Sequence, residues 1–409
     1  MLSIQPARRR RAGVGKLAIA LAGGGPLGAF YGLGALHALS EAIVGRELTD
    51  FDAYVGVSSG SLLAAGLANG FDTTTLGTTF VHDESTLFPF STGAVLRPAF
   101  GEYASRLARV PQVLAGICRQ YARDPLRSGW PAVMGALSEL VPAALFDNTV
   151  LERYLHKVFT TEDHTDDFRN LRHHLYVLAT DLNTGRPVSF GDRRHGRVPI
   201  SRALVASAAL PGLYPAVEID GHHYVDGALI RTLDATLALE RGCGLVICIN
   251  PLVPFDASRA PRGARTNLAD RGLPLVLSQT FRALIHSRIQ THLAGYAASF
   301  PRADFLLLEP DRHDEEIFFT NLFRYTGRRR LANHAYQRTR RDLLTHAAAL
   351  APLLARHGLD LDLKRLRERR RSFSTAARER TLHVRQVAHR LHRALGRLES
   401  TIGVDEEAG

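Results

Sequence analysis

"KLAIALAGGGPLGAF", residues Lys16–Phe30, sets a six-residue apolar run against three consecutive glycines and then a helix-like stretch. Leu17–Ala22 is short, apolar and continuous, as a buried strand is, whereas "LGAFYGLGALHALSEA" (Leu27–Ala42) has the length of a helix. Pro26 suits the opening turn of that helix, where an amide hydrogen would have no partner. Glycine in this density costs backbone entropy. It marks a place where bare backbone approaches something closely or adopts dihedrals closed to other residues. Two kinds of site ask for that: one cradles a phosphate at a helix N-terminus, the other aims N–H groups at an oxyanion.

A second motif bears on the choice. "GVSSG" (Gly56–Gly60) lies between an apolar strand, "AYVGV" (Ala53–Val57), and a helix, "SLLAAGLANG" (Ser61–Gly70). Strand, tight turn and helix are the setting of a G-x-S-x-G nucleophile elbow, so Ser58 is the candidate nucleophile, with Gly56 and Gly60 clearing space for neighbouring backbone. The pentapeptide alone is weak in a chain with 35 glycines; its setting gives it weight. Gly23, Gly25 and Gly28 also fit G-x-G-x-x-G, a dinucleotide fingerprint that calls for an acid at the end of a second strand about 20 residues on. Glu47, Asp50 and Asp52 stand near that distance, but they precede "AYVGV" rather than follow it. The acyl-transfer reading uses both motifs: two adjacent parallel strands deliver amide donors and a nucleophile to one sheet edge. Donors come from the Gly24–Gly25 region, since Pro26 has no N–H. The candidate base is Asp226 in "YVDGAL", ahead of Gly227, although Asp-Gly is also an ordinary turn.

"GGGPLG", "GVSSG" and "DGA" (Asp226–Ala228), in this order, resemble the glycine-rich, nucleophile and aspartate motifs of patatin-like phospholipases. "ATDLNTG" (Ala179–Gly185) and "ASAALPGLYPAV" (Ala206–Val217) are similar to that family too, and the resemblance runs from Leu17 to Asp256. It implies a lipid acyl hydrolase with a Ser–Asp dyad, working through an acyl-enzyme without cofactor or metal. Ser58 attacks an acyl ester, Asp226 takes its proton and returns it to the leaving alcohol, and Gly23, Gly24, Gly25 and Gly28 form the oxyanion hole. Leu27 departs from the family, many members of which carry a basic residue there; Arg202 and Arg231 are candidate replacements for that cation. Two other readings stay open. His286 or His292 would complete a Ser…Asp…His order, though no flanking motif supports either. A non-catalytic adaptor would use the same fold as a scaffold for membrane or protein binding.

The remaining sequence predicts an α/β fold: a layered, mostly parallel central sheet flanked by helices, with a helical insertion and a basic helical C-terminal extension. Further strands are expected at His174–Leu182, Pro187–Phe190, Ala216–Leu229, Gly244–Asn250 and Asp304–Pro310. The expected divisions are a disordered basic tail (1–15), the hydrolase domain (16–310) with a helical insertion or cap at 71–147, and an Arg-rich helical region (311–409). The insertion holds the only tryptophan, Trp130. Cys118, Cys243 and Cys248 are too few and too scattered for a disulfide framework or a zinc site, which suits a reducing compartment. The arginines ahead of Leu17 imitate an export signal, but the apolar run is too short for one and no window reaches the ~20 apolar residues of a membrane span. A cytoplasmic protein, peripheral at the inner membrane face, is expected. A net charge of +11 points to an anionic partner. Val384, Val387, Leu391, Leu395, Leu398 and Ile402 form one stripe of a basic C-terminal helix, packed on the body or a partner, or lying on an anionic membrane. No spacing or aromatic–basic interleaving supports nucleic-acid binding.

Overall fold

The computed structural model describes residues 1–9, 15–82, 97–123, 140, 144–259, 268–319 and 325–376. Its strands are β1 (Leu2–Gln5), β2 (Lys16–Leu21), β3 (Ile43–Val44), β4 (Ala53–Val57), β5 (His174–Asp181), β6 (Pro187–Phe190), β7 (Val217–Ile219), β8 (His222–Asp226), β9 (Cys243–Ile249), β10 (Asp304–Leu308) and β11 (Asp360–Leu361). The main sheet runs β1-β10-β9-β2-β4-β5-β8-β7, with β6 also on β5. Its centre, from β10 to β5, is parallel, and β1, β6, β7 and β8 are antiparallel margins.

The helices are α1 (Gly25–Ala42), α2 (Ser59–Ala68), α3 (Thr73–Gly77), α4 (Phe100–Arg123), α5 (Thr149–Phe159), α6 (Ile200–Ser207), α7 (Thr236–Glu240), α8 (Leu273–Ser299), α9 (Glu315–Phe319), α10 (Tyr325–Thr345), α11 (Ala347–Ala355) and α12 (Leu363–Arg367). They cover both faces of the sheet, which is why its central strands read as continuous apolar runs rather than alternating ones. Along β2 the alternation survives as size. Leu17, Ile19 and Leu21 pack with α1, α2 and α6, whereas Ala18 and Ala20 face α7 and α8. The small residues bring the second layer close to the sheet.

Three sequence expectations are corrected. Leu2–Gln5 is not a loose tail: it is an edge strand on β10, with Leu2 buried and the terminal ammonium within 3.1 Å of Asp342. Ala216–Leu229 is not one strand but the β7–β8 hairpin, turned at Asp220 and Gly221 with φ of 51° and 80°. Residues 311–376 do not stand apart from the hydrolase core. Leu331, Ala332, Ala335 and Tyr336 of α10 are fully buried against α1, and β11 pairs with β3 at the end of α1. The approach of α10 to α1 depends on a missing side chain. A Cβ on Gly34 would lie 2.2 Å from the Ala332 carbonyl oxygen. Of the expected insertion, α3, a turn of π-helix at Thr78–His82 and α4 are helical; Trp130 lies outside the described residues, as does the Val384–Ile402 stripe.

Candidate active site

The turn from β4 into α2 is strained. Ser58 has φ 52° and ψ −128°, one of few non-glycine residues at positive φ among those described. Such a conformation costs about 1–3 kcal/mol and persists only where the surroundings enforce it. Here glycines and hydroxyls do so. A Cβ on Gly56 would sit 2.4 Å from Ser61 Cα, and one on Gly60 would sit 2.5 Å from the carbonyl oxygens of Leu21 and Ala22. The Ser58 N–H donates to Ser207 Oγ at 2.8 Å, and the Ser207 hydroxyl donates onward to the Leu178 carbonyl at 2.6 Å. The Ser58 carbonyl accepts from both the amide and the hydroxyl of Ser61, at 2.9 and 2.5 Å. The nucleophile candidate is thus held from both sides at the N-terminus of α2.

Sheet register brings Asp226 to the same level. Val57 is opposite Leu178 across the β4–β5 pair, and Asp226 is opposite Ala179, the next residue along β5. The Asp226 carboxylate accepts from the Ala228 N–H at 2.8 Å, and the Ser58 side chain lies near enough to lower its pKa. Asp226 is 3% exposed and Ser58 6%. Burial raises the Asp226 pKa from 3.8 to about 6, against the opposing pull of Ser58 and of the Ala228 N–H. Gly227 allows this placement, since its Cβ would lie 2.4 Å from the Leu178 carbonyl oxygen.

The glycine loop closes the third side. A Cβ on Gly23 would lie 2.8 Å from Ser58 Cβ, and one on Gly24 would lie 2.9 Å from the Pro251 ring, in the segment leaving β9. Gly25 takes φ +59° and opens α1. Among the described residues the Gly23 and Gly24 N–H groups have no acceptor. Gly28 behaves differently from the expectation. Its N–H donates to the Gly24 carbonyl at 3.0 Å, so it is not a free donor; its part is steric, with a Cβ there 3.0 Å from Ser59 Oγ.

Other candidates are engaged elsewhere. His286 is 2.9 Å from an Arg312 nitrogen and 3.5 Å from Glu309, and His292 faces the Tyr296 ring. Arg202 bonds to Glu152 and to the Glu218 carbonyl. Arg231 pairs with Asp234 at 2.7 Å, a few residues past Asp226. Among the described residues no group of three or more His, Cys, Asp and Glu side chains could hold a metal ion. Sequence reasoning missed Ser207 and Pro251. "ASAALPG" is a stretch similar to the family, and nothing in it signals that its one serine holds the Ser58 amide 149 positions away.

With three motifs joined around one hydroxyl, the family match follows the geometry. The family model described as patatin-like phospholipase matches residues 19–239, more than half of the chain. The chain belongs to the patatin-like phospholipase family. Membership places it among lipid hydrolases, and the matched span contains Gly23–Gly28, Ser58 and Asp226. No curated protein matches the sequence. Among solved structures, VipD from Legionella pneumophila is similar at 13% identity and a TM-score of 0.34, over 87% of this chain and 82% of that one. ExoU of Pseudomonas aeruginosa, in complex with SpcU, is similar at 18% identity and a TM-score of 0.29, over 88% and 69%. Likeness at this level carries no functional argument for this patatin-like chain.

Proposed function

We propose that the protein hydrolyses acyl esters of lipids with Ser58 as nucleophile and Asp226 as base and acid. One observation carries this reading: a strained, buried serine brought by sheet register to the level of an equally buried aspartate whose pKa is lifted to about 6. An ordinary carboxylate is a poor base for an alcohol; a buried one is better matched to neutral pH. Ser58 Oγ attacks the acyl carbonyl carbon while its proton passes to Asp226. The carbonyl oxygen gathers negative charge, which unpaired amides at Gly23 and Gly24 and the N-terminus of α2 favour. The tetrahedral intermediate collapses, the ester C–O bond breaks, and Asp226 returns the proton to the leaving alcohol. Water then attacks the acyl-enzyme, Asp226 takes a proton from it, and Ser58 leaves with that proton as the free acid forms. Ser207 acts through Ser58, holding the backbone that aims the hydroxyl.

Ser58→Ala tests the reading. The variant should lose labelling by a fluorophosphonate probe, and hydrolysis of mixed phospholipids and glycerides, followed by mass spectrometry, should fall at least a thousandfold (about 10³). Retained hydrolysis by the alanine variant would end the proposal.

A further inference from the structure

Large apolar side chains are exposed to water on two helices that hydrogen bonds tie to segments flanking the site. Helix α8 is apolar on its outer side over its first three turns and on its inner side farther along. Ile285 and Ile289 face the core, whereas Leu273, Val276, Leu277, Phe281 and Leu284, spaced three and four apart, face solvent, Leu273 being 68% exposed. A surface helix ordinarily turns its apolar stripe to the core; this one leaves an apolar stripe uncovered. Its place relative to the site is fixed. The Gln279 amide bonds to both the N–H and the carbonyl of Phe255, at 3.0 and 2.7 Å, and Arg282 donates to the Val253 carbonyl. Those residues follow Pro251, which touches the glycine loop.

The first turn of helix α4 connects to the Asp226 side. Phe100, Leu107 and Leu114, seven residues apart, are exposed, the first two at 70%. No described side chain of α4 is buried. The start of α4 is tied to the site through Leu145. Its carbonyl accepts from the Ala99 N–H and the Tyr103 hydroxyl, and its N–H donates to Leu213. The loop holding Leu213 includes Ala209, whose carbonyl accepts the Asp226 N–H. Leu145, Leu213 and Leu182, the last just past β5, are themselves exposed.

Charge selects the partner. α8 has no acidic residue and exposes Arg288, its Arg282 being buried; α4 contains four arginines and one acid, Glu102. An apolar stripe within a basic surface suits an anionic lipid layer, not an acidic peptide, which would leave the leucines wet. Among the described residues no helix is long and apolar enough to cross a membrane.

We infer that the protein docks on anionic bilayers through the outer stripe of α8 and the apolar side of α4, with the Ser58 edge facing the lipid. The choice of lipid as partner rests on the acyl-hydrolase reading; the geometry of the surface does not. The docking face is then built into the catalytic domain rather than into the basic C-terminus.

The test uses the full-length chain carrying Ser58→Ala, so that vesicles stay intact, sedimented with vesicles of phosphatidylcholine alone or mixed with phosphatidylglycerol. The parent should prefer the mixed vesicles, and added salt should weaken its binding. Leu277→Glu with Phe281→Glu, and Leu107→Glu separately, should each lower binding about tenfold per side chain changed. In the otherwise unaltered protein the same changes should leave hydrolysis of a short water-soluble ester within twofold (roughly the margin for surface changes), confirming an intact fold. Unchanged vesicle binding by both variants would overturn the inference. So would a parent that ignores vesicles but forms a dimer that the glutamates dissociate, which would make the face a contact between copies. Vesicle binding lost in the variants, in a protein whose Ser58 form hydrolyses no ester, would sustain the docking face and refute the acyl-hydrolase reading alone.

Discussion

Asp226→Asn should strengthen the fold at neutral pH while removing the proposed base. The wild-type carboxyl is buried, and its pKa rises from 3.8 to about 6 on folding. Between those values the folded state holds a proton that the unfolded state has lost. Stability therefore falls as pH climbs from about 4 to about 6, then stays level. At 1.36 kcal/mol per pKa unit the full penalty of burying the charge is about 3 kcal/mol. Asparagine carries no charge and can still accept from Ala228, but it weakens the contact with Ser58. Allowing about 1 kcal/mol for that loss leaves the variant about 1–2 kcal/mol more stable at pH 8. Near pH 4 the wild-type carboxyl is protonated when folded, and most of the advantage disappears. Urea unfolding of both proteins at pH 4, 6 and 8 measures the gap directly. The wild-type ester hydrolysis should in parallel fall about tenfold per pH unit below about 6, as the base becomes protonated. A stability gap that does not change with pH, or a wild type that is the more stable at pH 8, would refute the reasoning, because either means that the folded protein does not carry Asp226 as a costly buried anion.

Ser207→Ala removes the hydroxyl that takes the Ser58 N–H and satisfies the Leu178 carbonyl, leaving two buried groups unpaired. Unfolding free energy should drop by about 2–4 kcal/mol, and kcat should fall more than KM rises, because the strained turn loses its support. Gly34→Ala puts a methyl 2.2 Å from the Ala332 carbonyl oxygen and must separate α1 from α10. Thermal unfolding should report a loss of about 2 kcal/mol or more, while the folded fraction still labels at Ser58.

Local rules made much of this protein legible in one dimension. The strand at Ala53–Val57, the elbow after it and the helix after that are dictated by neighbours a few residues apart, and Ala53–Val57 has the expected bounds. The glycine loop was legible for the same reason, since glycine marks backbone that no other residue can trace. Gly28 was misread because spacing identifies a glycine without saying whether its amide is spare; helix α1 uses that amide on Gly24.

What residue order alone determined, then, is the parts: apolar runs of strand length, turns that demand glycine, and a serine and an aspartate each at the end of a strand. Only the tertiary structure decided that these two meet, because β5 sets the register of β4 on one side and of β8 on the other. It also decided that Leu2–Gln5 closes the sheet edge and that α10 belongs to the core. Both outcomes depend on partners about 300 residues away, Leu308 for Leu2 and Ala332 for Gly34, and separations of that size leave no mark in local pattern. The Asp226 pKa belongs to the same class. The burial that the assembled sheet imposes lifts this carboxyl's pKa to about 6, and no residue beside it in the chain records that burial.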